Sequence, residues 1–182
     1  MQKEVREAFR VHFKWTVLEY AKVCRTMAKA CHEFEVVLGP ILSLSTAWTF
    51  QHSQLDEPEP EFNSREFFRT PNTYGYASLS HNNKLFKIEL SLEYTGKMKA
   101  THYAGYIKED KLETTYPFWV MNTKLHKKIN FAKNSVVNVF FGIFNLLDAY
   151  QKDLDMGADR DSGYVYGPAK PRSIYAGFEF SF

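Results

Sequence analysis

Cys24 and Cys31 are the chain's two cysteines in 182 residues. That is too few for a disulfide framework, and their spacing does not suit a metal site, so both read as plain thiols. No run approaches the ~20 apolar residues of a membrane helix, which excludes helical spans. It does not exclude a strand barrel, where only alternate residues face lipid. A dominant charge is missing too: 23 Lys and Arg stand against 21 Asp and Glu, and a net charge of +2 gives no reason to expect nucleic acid as a partner. Met1 to Lys14 has no basic segment followed by an apolar core, so no secretory signal is read there. Gly-x-Ser-x-Gly, His-Glu-x-x-His and the phosphate-binding loop are all absent, and no cofactor motif replaces them. An enzyme is not expected. A trio could be drawn from Ser80, His81 and an Asp, but nothing selects one.

What the chain has is aromatic residues, 16% of the total with 11 Tyr and 16 Phe, and a strict period of two. The period is the primary signal for strands. In Ile41 to His52, Leu42, Leu44, Trp48 and Phe50 share one face, and Ser43, Ser45, Ala47 and Thr49 the other. From Leu85 to Tyr94, Phe86, Ile88, Leu90, Leu92 and Tyr94 oppose Lys87, Glu89, Ser91 and Glu93. Trp119, Met121, Thr123 and Leu125 oppose Phe118, Val120, Asn122, Lys124 and His126, and Val137, Val139, Phe141 and Ile143 oppose Asn138, Phe140, Gly142 and Phe144. Thr73 to Ser80 reads as a short strand with Gly75, Ala77 and Leu79 outward, and His32 to Leu38 as a weaker one. The last strand alternates Ile174, Ala176, Phe178, Phe180 and Phe182 with Tyr175, Gly177, Glu179 and Ser181. A face carrying Lys87, Glu89, Glu93, Lys124 and His126 makes a poor soluble core. A lipid-facing side with a wet lumen has no such difficulty.

The connectors alternate as well. Gly39-Pro40, His81-Asn82-Asn83 and Phe131 to Asn134 are short, whereas residues 53–71, 96–116 and 147–171 are long and polar. Short turns at one end and long loops at the other are the signature of outer-membrane barrels. The acidic Asp56-Glu-Pro-Glu-Pro-Glu61 reads as solvated loop. Phe9, Val11, Phe13, Trp15 and Val17 alternate like a strand, yet Val5, Phe9, Phe13 and Val17 also fall at helical spacing. Residues 1–30 therefore stay strand or helix.

The C-terminal third resembles the end of TonB-dependent outer-membrane receptors. The likeness is carried by Val139-Phe-Phe-Gly-Ile-Phe-Asn-Leu-Leu-Asp-Ala-Tyr-Gln151, Asp153-Leu-Asp-Met-Gly157, Arg160-Asp-Ser-Gly-Tyr-Val-Tyr-Gly-Pro168, Pro171-Arg172 and the Phe-ending strand. Arg69-Thr-Pro71, Tyr94-Thr-Gly96 with Met98, and Glu33-Phe-Glu35 with Leu38-Gly-Pro40 extend it upstream. It covers residues 31–182, with 1–30 a divergent segment.

The resemblance implies an all-β fold, an antiparallel transmembrane barrel wall of seven to eight strands with long outer loops and short periplasmic turns. It implies a cell outer-membrane location and a parent that imports a scarce solute, such as a ferric siderophore, haem, cobalamin or a glycan. Outer-membrane lipid, the barrel-assembly machinery, TonB and a small-molecule or metal-chelate ligand are the implied partners. The plug and most of a barrel of roughly 22 strands have no counterpart here, so the chain alone is not expected to transport. The alternative is a small autonomous eight-stranded barrel with a structural or adhesion role, although small inward residues such as Ser43, Ser45, Gly142 and Gly177 suit a wide barrel better.

Asp153, Asp155, Asp159 and Asp161 alternate in a loop as oxygen donors for a hard cation would, without an EF-hand's full spacing. They read as a weak calcium candidate or as a polar outer loop. By the resemblance, Asp161, Tyr166, Pro171 and Arg172 fix how the last loop re-enters the wall, and Phe178, Phe180 and Phe182 end the barrel. His102, beside Tyr103, reads as a surface histidine or a ligand contact. Trp48, Tyr94, Tyr103, Trp119, Tyr150 and Phe182 fit interfacial girdles.

Overall fold

A computed structural model describes residues 9–19, 26–38, 41–132 and 135–181. The alternating segments become strands joined edge to edge. In chain order they are β1 (Phe9–Glu19), β2 (Thr26–Leu38), β3 (Leu42–Glu59), β4 (Ser64–Glu66), β5 (Thr73–Asn82), β6 (Lys87–Thr95), β7 (Lys99–His102), β8 (Lys111–Thr114), β9 (Phe118–Ala132), β10 (Ser135–Phe144) and β11 (Ser173–Ser181). Eight of them form one antiparallel path, β1-β2-β3-β5-β6-β9-β10-β11, with β4 attached to β3 and β7-β8 a separate hairpin. β1 and β11 end the path, and no pairing joins them among the described residues. Among the described residues the sheet is therefore open.

Register keeps each face pure, because residues directly opposite across an antiparallel pair share a side. Leu44, Leu79, Leu90 and Thr123 make one transverse row, and Ser45, Ser78, Ser91 and Asn122 the next. Continued to the last strands, the apolar side carries Leu125, Phe141 and Ala176, and the polar side Lys124, Gly142 and Tyr175. The apolar side stays uncovered: Ile174 and Phe178 are 68% and 67% exposed, and the buried apolar residues among those described are Val36, Ala100 and Tyr164. A soluble domain buries one face of its sheet against a second layer. Among the described residues no second layer covers the sheet, and the face that would need one is the apolar one.

One row is aromatic. Trp48, Gly75, Tyr94 and Trp119 are successive partners across β3, β5, β6 and β9. A Cβ on Gly75 would fall 2.7 Å from the Trp48 ring, so the indole lies across the glycine and reaches Tyr94 at 5.8 Å and Trp119 at 6.1 Å between ring centroids. On the polar side, rings lie over the other glycines of the sheet, Tyr175 on Gly142 and Phe140 on Gly177. At Gly142 and Gly177 facing aromatics therefore occupy the space that the absent side chains leave.

Strand ends differ from the sequence reading. β6 begins at Lys87 because Asn83 closes the turn, its side chain accepting from the amides of Leu85 at 2.8 Å and Phe86 at 2.9 Å. Residues 53–59, expected as loop, continue β3 outward, and β4 returns beside it. Glu59 then caps the tip by accepting from the amides of Glu61 and Phe62. Phe9–Glu19 is strand. Gly39-Pro40, Cys24 and Phe182 lie outside the described residues, as do Lys133 and Asn134 of the Phe131 to Asn134 turn.

Candidate functional site

All three long connectors leave the same end of the sheet and fold onto one another. β7 and β8 stand up from 96–116, and Arg69 ties the preceding loop to them through its amide, which donates to the Lys99 carbonyl at 2.6 Å. His102, at the tip of β7, is the hub. It is buried, stacked on Tyr164 with ring centroids 3.8 Å apart, and its Nε2 hydrogen-bonds Asp155 Oδ2 at 2.9 Å. It is neither a surface histidine nor free to meet a ligand, because the last loop folds over it. Tyr103 likewise leaves the expected girdle for the loop tips, beside Phe62 and within 3.4 Å of Glu61 Oε2.

The aspartates of the last loop are acceptors in this network. Asp153 takes the hydroxyls of Tyr164, at 2.9 Å, and Tyr166. Asp155 also accepts the Asp161 amide at 3.0 Å, while Asp161 accepts the amides of Gly163 at 2.7 Å and Tyr103 at 2.9 Å. Asp159 is exposed and apart from them. Among the described residues no group of three or more His, Cys, Asp or Glu side chains is placed to hold a metal ion. Burial pushes the phenols of Tyr164 and Tyr166 up from their ordinary range, and the Asp153 carboxylate beside them adds to it.

The loop is anchored at both ends. At one end Gln151, buried, donates to the Tyr164 carbonyl and accepts the amides of Tyr166 and Gly167. Asn145, buried with φ of 52°, donates to the carbonyls of Ala149 and Lys170, closing the loop's mouth. The Arg172 amide donates to Asp148 at 2.8 Å, and the Pro171 carbonyl accepts Ser173 Oγ at 3.0 Å as the chain enters β11. Tyr166, Pro171 and Arg172 thus sit in one re-entry segment, while Phe178 and Phe180 stand exposed on the apolar face. Gln151 and Asn145 carried no sequence signal beyond their place in the long motif.

Below the loops, on the polar face, lies a groove of about 750 Å³ between Thr49, Gln51, Tyr74, Tyr76 and Glu93, with Arg69 and Pro71 at its rim. Its lining mixes the faces of Tyr74 and Tyr76, Ala47 and Pro71 with the polar groups of Thr49, Gln51, Arg69 and Glu93, and most of its surface is apolar. Ser80 and His81 are adjacent in β5 and so point to opposite faces. Ser80 meets Ser43 at 2.6 Å and His81 meets Asn83 at 3.3 Å, and no catalytic trio assembles from them.

An antiparallel sheet of eight strands with one uncovered apolar face and all long loops at one end has the form of a β-barrel wall. The chain is similar to the crystal structure of the ferric-catecholate import receptor Fiu from E. coli K12 in its closed form, with a TM-score of 0.55 and 18% identity. The match covers 91% of this chain and 23% of that receptor, so the chain spans about a quarter of its length. No family model matches the sequence, and no curated protein does.

Proposed function

We propose that this chain is the C-terminal wall of a TonB-dependent outer-membrane receptor. The observation that carries this reading is the segregation of faces: from β3 to β11 one side is apolar and uncovered, the other polar, and every long loop folds at one end. In this reading the apolar side meets outer-membrane lipid and the opposite side, with its groove, meets the plug. Residues 31–182 form the receptor barrel portion, and 1–30 a divergent lead-in. The parent captures a scarce solute such as a metal chelate on its outer loops and plug, and imports it with energy delivered through TonB. The aromatic C-terminal sequence, with Phe178, Phe180 and Phe182, is what the barrel-assembly machinery engages. Alone, the chain supplies wall and loops and transports nothing.

Two experiments test this at two levels. Expressed behind an export signal, the chain is expected in the outer-membrane fraction and resistant to alkaline extraction. Recovery as a soluble monomer overturns the membrane reading. At the gene, a frame upstream of Met1 encoding a plug and further strands supports the receptor assignment, whereas a promoter and export signal directly before Met1 overturn it.

A further inference from the structure

Beyond the wall itself, the loop end of β9 carries a cleft of about 300 Å³ between Tyr116, Trp119, Leu147, Tyr150, Lys152 and Tyr166. Trp119 belongs to the aromatic row of the apolar face, packing on Tyr94 at 4.5 Å between centroids, so the cleft begins where that row ends. Its other walls are loop residues held in place from behind. Tyr166 is fixed by Asp153, and the Tyr116 amide donates to the Tyr166 hydroxyl at 3.2 Å. Lys152 Nζ lies over the Tyr116 ring at 5.6 Å, and among the described residues no carboxylate forms an ion pair with it. The neighbouring Asp153 is turned to the two tyrosines.

We infer that this cleft binds the phosphorylated headgroup of an outer-leaflet lipid. Aromatic rows of this kind sit at the level of the headgroups. A cleft just past the row therefore faces phosphates and headgroup sugars, not acyl chains or bulk water. Lys152 supplies the cation, and the exposed rings of Tyr116 and Tyr150 supply flat apolar walls for a sugar. The inference rests on the lipid-facing reading of the apolar side, and its test separates the two.

The full chain is refolded into phosphatidylcholine vesicles with acyl chains brominated near the headgroup, doped with diphosphoryl lipid A or with its dephosphorylated form. Tryptophan quenching reports insertion, and lipid retained through purification, measured by native mass spectrometry, reports headgroup binding. The expected result is quenching in every vesicle, preferential retention of the phosphorylated lipid, and about fivefold less of it for Lys152→Gln. Quenching with no preference overturns the cleft and leaves the lipid-facing reading intact. Absence of quenching overturns both. A preference that survives Lys152→Gln undiminished removes the site from this cleft.

Discussion

His102 lies flat on Tyr164, the two ring planes 6° from parallel, although 62 positions separate them in the chain. Through this stack and the Asp155 bond, β7 is fastened to the last outer loop. His102→Ala removes the stack and leaves Asp155 with only the Asp161 amide on that oxygen. A buried polar group left short of a partner costs about 1–3 kcal/mol. We expect rapid proteolysis within 96–116 and 147–171 while the sheet stays protected. A double-mutant cycle with Asp155→Asn should give a coupling of about 0.5–3 kcal/mol. Additive effects would show that the two loops are not joined here.

The same lock has a pH limit set by its phenols. Tyr164 and Tyr166 are held neutral by burial and by Asp153, so their folded pKa values lie above the ordinary 10.0. Their contribution is fully present below pH ~10 and falls as pH rises beyond it, because the unfolded loop then loses protons that the folded loop retains. Ultraviolet titration should show two of the tyrosines ionising late, and loop protection against protease should decline over that same alkaline range. With Asp153→Asn the late phase should move down. Unchanged titration in that variant would remove Asp153 as a cause.

Calcium should do little. To bind it, Asp153, Asp155 and Asp161 would have to surrender hydroxyl, imidazole and amide donors they already hold. Calorimetric titration of the refolded chain is expected to show no heat of binding, and a chelator should leave thermal unfolding unchanged. A calcium-dependent rise in melting temperature would mean that the aspartates exchange these donors for the metal.

The two faces of the sheet were legible because strand geometry puts alternate residues on opposite sides, and Phe86 to Tyr94 obeys that rule without exception. The extension of β3 was not legible: Asp56 to Glu61 is rich in Pro and Glu, which read as loop, and only pairing with β4 makes it strand. The loop network was hidden for a different reason. His102 meets Asp155 across 53 positions, and no local pattern encodes such a contact. Tyr164 and Tyr166 share Asp153 only because the turn Ser162–Tyr164 brings both hydroxyls back to it.

Gly75 tests how the aromatic row is built. A Cβ there would sit 2.6 Å from the Ala47 carbonyl oxygen and 2.7 Å from the Trp48 ring. Gly75→Ala must shift backbone or tilt the indole away from Tyr94, at a cost of about 1–3 kcal/mol. Near-ultraviolet circular dichroism should lose the coupled signal of Trp48, Tyr94 and Trp119. Trp48→Leu in the same background should recover part of the stability, since the smaller side chain no longer crosses the glycine. Failure to recover would place the strain at Ala47 and not at the ring.

The two faces of β6 give the most direct test of the wall. Leu90 and Ser91 are neighbours in mid-strand, Leu90 in the row with Leu79 and Ser91 in the row with Ser78. If the apolar side faces lipid, an arginine at Leu90 is driven into hydrocarbon, whereas an arginine at Ser91 enters the wet side. The first costs about 2–4 kcal/mol near the bilayer midplane, and the second is close to neutral. Unfolding from lipid vesicles by guanidinium should therefore separate Leu90→Arg from Ser91→Arg by that margin. In a soluble sheet whose apolar face packs on a partner protein, Leu90→Arg would abolish that association and leave vesicle binding unaffected. Equal tolerance of both arginines would show that neither face of β6 meets lipid.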